Sequence, residues 1–120
     1  MPARRYHPIH LTLKVANRAG YNDLMEKRKP HYSLTSIQLM VSDQANKVFT
    51  ATALDGGLEM GLEEREMREV VCKLAVRNLF KSMTTSRDHT VWQDVYHAMT
   101  PVGIMAYIKV TGYIQTADRL

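Results

Sequence analysis

The sequence predicts an α+β domain, with helices first and an antiparallel meander after them. Two observations carry that expectation. From Ser33 to Ala75 apolar residues recur at three- and four-residue spacing, and after Asn78 the period changes to two. Helices gathered ahead of a run of strands, rather than alternating with them, favour an antiparallel sheet over a parallel one.

The elements follow in order. "HPIHLTLKV" (7–15) alternates, with Ile9, Leu11, Leu13 and Val15 apolar, and "NRAGYND" (17–23) then breaks the pattern. This opening segment reads equally as an added edge strand, a flexible arm, or the product of a start codon placed too early, since Met25 offers an internal start. Ser33 caps a helix whose face carries Leu34, Ile37, Met40, Val41 and Ala45. "VFTATALDGG" (48–57) is ambiguous: its Thr and Val content suits a strand, or Thr50 caps a short helix that Gly56-Gly57 ends. "LEEREMREVVCKLA" (62–75) is helical, with Met67, Val70, Val71 and Leu74 on one stripe and acids in the first turns. Glu63, Glu64, Glu66 and Glu69 read as a solvated face, and Met60 and Met67 as core fillers. Leu79–Ser86, Thr90–His97 and Met105–Tyr113 read as strands, joined by "SRDH" and by a turn containing Pro101 and Gly103.

Composition bounds the function. The 120 residues, 45% hydrophobic, suit one core. No apolar run approaches membrane-span length, and no apolar stretch follows Arg4 and Arg5 as a secretory signal requires. The single Cys72 excludes an internal disulfide and suits a reducing cytoplasm; its place in an apolar helical pattern predicts a buried small hydrophobe, not a nucleophile. Of the net charge of +4, the first 24 residues carry most, with Arg4, Arg5, Lys14 and Arg18 against Asp23. An RNA-binding body would therefore need a local basic patch.

The chemistry concentrates in "KSMTTSRDHTVWQDVY" (81–96), a strand-like stretch of hydrogen-bonding side chains that ends in aromatics. Asp88, His89, Asp94 and His97 are metal-capable, but they lack ligand spacing and alternate in direction along a hairpin. No metal or cofactor is expected. Neither a nucleophile elbow nor a phosphate-binding glycine loop is present. RNA cleavage without a metal needs a group at the ribose 2′-OH, a proton for the leaving 5′-oxygen, and a fixed cation for the charge that develops between them. Lys81 suits the cation, and Gln93 can hold a phosphate oxygen or a base edge. Tyr107 can donate a proton or stack, and His89 is either a base or a hairpin-turn histidine bonded to the backbone. Trp92 is either core or a stacking platform.

These residues resemble the signature of the MqsR-type toxins, motility quorum-sensing regulators that cleave messenger RNA. The resemblance opens at "MEKRKPH" (25–31), passes through "MGL" (60–62) and the 81–96 signature, and reaches "YIKVT" (107–111) after one extra residue. It implies a RelE-like ribonuclease toxin fold, metal-independent cleavage at GCU-like triplets, and neutralisation by a zinc- and DNA-binding MqsA-type antitoxin. It also implies Lys81, Gln93 and Tyr107 as catalytic residues, with Trp92, Tyr96, His89 and Lys109 as candidate RNA contacts. The domain expected from it is 25–120, with 1–24 a dispensable extension. The chain departs from the family at "GYIQTADRL" (112–120), where a last strand bearing a fourth active-site lysine and ending "SFKE" is expected. On that reading Met105–Tyr113 keeps an open edge, Arg119 is a poor substitute, and the toxin is weak. The competing class is a non-catalytic antitoxin- or RNA-binding module with an incomplete site.

Overall fold

Ser33 begins the ordered helices as its sequence indicates: its hydroxyl accepts the Ser36 N–H and starts helix α1, Leu34–Ser42. The computed structural model describes residues 10–15, 26–84 and 91–112. Thr50 caps helix α2, Ala51–Met60, in the same way. That helix runs through Gly56-Gly57, and Gly61 ends it in the left-handed conformation at φ 89°. Gly57 faces the Met67 side chain of helix α3, Glu64–Cys72, and a Cβ there would push that side chain aside. The glutamates of α3 are not merely solvated. Glu63 and Glu66 form a capping box, and Glu64 pairs with the buried Arg68 at 2.8 Å. Arg68 in turn donates to the Val41 and Asn46 carbonyls, which ties α3 to the end of α1.

Strands β1 (His10–Val15), β2 (Glu26–Lys27), β3 (Leu79–Thr84), β4 (Trp92–Met99) and β5 (Met105–Thr111) form one antiparallel sheet. Their spatial order is β1-β5-β4-β3-β2. Alternation along the strands gives the sheet two different faces. Tyr96, Ala106, Ile108 and Val110 join Ile37, Val41, Met67 and Val71 of the helices in the main core. Met83, Val95 and Tyr107 form a second buried cluster on the reverse face. The α+β architecture is thus as the change of period indicates.

Two expectations change here. Cys72 closes α3 on its outer side and is exposed, with its thiol directed at the Gln38 carbonyl at 3.7 Å and burial of its neighbourhood pushing its pKa up. The apolar stripe of α3 ends one residue before it. The outer edge of β5 is also not open: β1 pairs with it over six residues, from His10↔Thr111 to Val15↔Ala106, and α2 lies beside β1. The segment 113–120, with Arg119, lies outside the described residues.

Removal of residues 1–24 is therefore expected to lower the melting temperature, because it strips the ladder of β5 and uncovers a flank of α2. In a domain of this size each kcal/mol lost lowers Tm by roughly 4 °C. A chain starting at Met25 that melts with the full-length chain would show that β1 contributes nothing to stability.

Candidate active site

Register assigns the reverse face residue by residue. Across β4 and β5 the pairs Gln93↔Thr111, Val95↔Lys109 and His97↔Tyr107 lie on that face. Asp94↔Val110 and Tyr96↔Ile108 lie on the helical face. On β3, Lys81 stands opposite Val95 and Met83 opposite Gln93. The structure thus gathers Lys81, Gln93, Tyr107 and Lys109 on one face from three strands.

A β-bulge makes this possible. Leu79 pairs with Tyr96 but Lys81 already pairs with Val95, so Phe80 is the extra residue of β3. Without it, Leu79 and Lys81 would share a face; with it, Leu79 packs on the main core and Lys81 turns to the reverse side. Phe80 is left at the surface, where it stacks on the His97 ring at 4.7 Å.

The site's electrostatics centre on Lys81. Its side chain is only 11% exposed, and its Nζ lies 3.1 Å from Glu26 Oε1. Glu26 sits opposite Met83 on β2, which places it on the same face, and its other oxygen lies 4.0 Å from the Arg28 guanidinium. His97 touches Tyr107 at 5.4 Å between ring centres, and its Nε2 makes no hydrogen bond to a described residue. Burial lowers the His97 pKa, which favours the neutral imidazole near neutral pH.

Trp92 and Tyr96 belong to the other side. Tyr96 is fully buried in the helical core, and burial followed by the nearby Asp94 charge pushes its pKa up to about 12. The expectation that it contacts RNA is therefore corrected. Trp92 pairs with Thr84 on the helical face, where His31 stacks on it at 5.1 Å and Lys27 Nζ lies 4.3 Å above the ring. Its face is occupied by the protein's own residues. His89 lies outside the described residues. Asp94 and His97 cannot share a metal ion, since they lie on opposite faces of β4 and Asp94 is bonded to His31, Tyr32 and Ser82.

Glu26 and Phe80 are members that sequence reasoning missed, and His97 entered it only as a metal-capable residue. His97 was findable, because it lies four residues beyond Gln93 on a strand of period two. Phe80 was hidden by the bulge. Glu26 stands 55 positions from Lys81, and no local pattern reports such a contact.

A fixed lysine, an amide and a carboxylate on one sheet face, with the Tyr107 hydroxyl buried in the same face, can bind a phosphodiester and move a proton beside it. Comparisons with known proteins point the same way. The family described as motility quorum-sensing regulator, toxin of MqsA, matches residues 29–117. The mRNA interferase toxin MqsR of Escherichia coli (strain K12) is 41% identical over 88 residues, which span 72% of this chain and 87% of that protein. The chain belongs to the motility quorum-sensing regulator family of toxins.

Proposed function

We propose that the protein is the toxin of a toxin–antitoxin pair and an endoribonuclease that cleaves messenger RNA in the cytoplasm, without a metal, at GCU-like triplets. An MqsA-type antitoxin is its partner. Family membership and the mRNA interferase relative support the cleavage of messenger RNA. The observation that carries the mechanism is the grouping of Lys81, Gln93 and Tyr107 on one face of the sheet.

In this reading the 2′-oxygen attacks the adjacent phosphorus and the 5′-oxygen departs. Lys81 holds the phosphate oxygens and offsets the charge they gain. Gln93 fixes a phosphate oxygen or a base edge through its amide. Tyr107 supplies the proton that the departing 5′-oxygen needs. Lys109, opposite Val95 in the same row as Lys81, adds positive charge to the path of the backbone. Phe80, exposed and held flat against His97, offers a base a stacking surface.

Incubating the purified chain with an RNA that carries one GCU, in excess EDTA, tests this reading. The expected products are one 2′,3′-cyclic phosphate end and one 5′-hydroxyl end at that triplet. Ends bearing a 5′-phosphate, or cleavage that EDTA abolishes, would overturn it.

A further inference from the structure

We propose that Glu26 is the general base of the reaction, the group that takes the 2′-OH proton. This rests on the cleavage reading above and names the member of the site that it leaves open. The cleavage reading above assigns a cation, an amide and a proton donor, and leaves the acceptor of the nucleophile's proton unassigned.

Three features of Glu26 fit that acceptor. First, it lies where the scissile phosphate must bind, with its carboxylate 3.1 Å from Lys81 Nζ. A phosphate oxygen held by Lys81 brings the neighbouring ribose within reach of the same carboxylate. Second, its side chain is 39% exposed while that of Lys81 is 11% exposed, so of the two partners the carboxylate is the one open to a substrate. Third, its position is fixed by the fold. The segment that carries it is paired to β3 through Glu26↔Met83 and Lys27↔Ser82. A few residues later the backbone N–H groups of His31 and Tyr32 donate to the buried Asp94 at 2.8–2.9 Å. A base must be held close to its proton, and this segment is held at both ends.

Lys81 from β3 and Arg28 from its own segment both bring positive charge to Glu26. In the step itself, the 2′-OH proton passes to a Glu26 oxygen as the O2′–P bond forms. The P–O5′ bond breaks, and Tyr107 gives its proton to the 5′-oxygen. Solvent then returns the proton from Glu26 to Tyr107, and both groups regain their starting state. The products are a 2′,3′-cyclic phosphate and a 5′-hydroxyl.

The test is the pH dependence of kcat for the full chain, for Glu26→Gln and for Glu26→Asp, on one GCU-containing RNA in EDTA, with each melting temperature recorded. The wild type should lose activity as pH falls through the carboxylate range. Glu26→Gln should lower kcat by about 10²- to 10³-fold with little change in KM, and should lack that acidic limb. Glu26→Asp should keep the limb at reduced rate. For a variant that does not fold well, formate added to Glu26→Ala provides an independent reading: restored cleavage supports the base, and none overturns it. Wild-type cleavage with Glu26→Gln active within about threefold and the acidic limb intact would overturn this inference alone. An inactive wild type would overturn it together with the cleavage reading.

Discussion

Asp94→Ala is expected to destabilise the fold by about 4 kcal/mol or more, enough to leave little of it folded at physiological temperature. Asp94 is completely buried, and its two oxygens accept from the His31 and Tyr32 backbone N–H groups and from the Ser82 hydroxyl at 2.6 Å. Alanine removes the acceptor and strands these donors around a cavity. A buried donor left without a partner costs about 1–3 kcal/mol. Asp94→Asn keeps the shape and one acceptor oxygen, so about half the loss is expected. Thermal and urea melts of both variants measure it. A loss below about 1 kcal/mol for alanine would show that the 26–33 segment is held by other contacts. The residue lies inside the signature that suggests an RNA-cleaving wall, yet its work is structural: it fastens the segment bearing Glu26 to β4.

Lys81→Met should abolish most of the cleavage while leaving the fold in place. Methionine keeps much of the buried stem and removes only the charge, so it separates the chemical role of Lys81 from its packing. A single fixed charge at the developing phosphorane contributes about 10²-fold or more, which corresponds to roughly 2.7 kcal/mol of barrier. The loss should appear in kcat, because charge accumulates between ground state and transition state. Lys81→Arg should recover part of the rate. A Lys81→Met chain that melts near the wild type and cleaves as fast would remove Lys81 from the mechanism.

Local patterns made much of this molecule legible. Ser33 and Thr50 announce helix starts because a hydroxyl there satisfies an otherwise orphaned N–H. Two of the main strands, β4 and β5, show in their alternation, because their odd and even positions meet different surroundings. Legibility failed wherever the deciding contact was distant. Gly56-Gly57 looks like a helix stop, but the helix runs on through it, and Gly57 lies against the Met67 side chain of another helix. Tyr96 and Trp92 share the signature with Gln93, and the packing of Tyr96 into the helical core, with Thr84↔Trp92 on the same side of the sheet, sets them apart from it. The bulge at Phe80 shifts one side of the site by a residue and leaves no mark in composition. The partner of "HLTLKV" lies some hundred positions away on β5, so alternation could suggest a strand but not its place. That place sets Lys14 opposite Tyr107, at the edge where a missing strand had been expected.

Whether a sheet face built around Lys81 cleaves RNA without a metal is decided by one side-by-side rate measurement. Wild type and Lys81→Met are incubated with the same GCU-containing RNA in EDTA, with cyclic-phosphate product followed over time. The wild type should cleave site-specifically, and the variant at a rate lower by about 10²-fold or more. Equal rates for the two proteins, or no cyclic-phosphate product from the wild type, would contradict it.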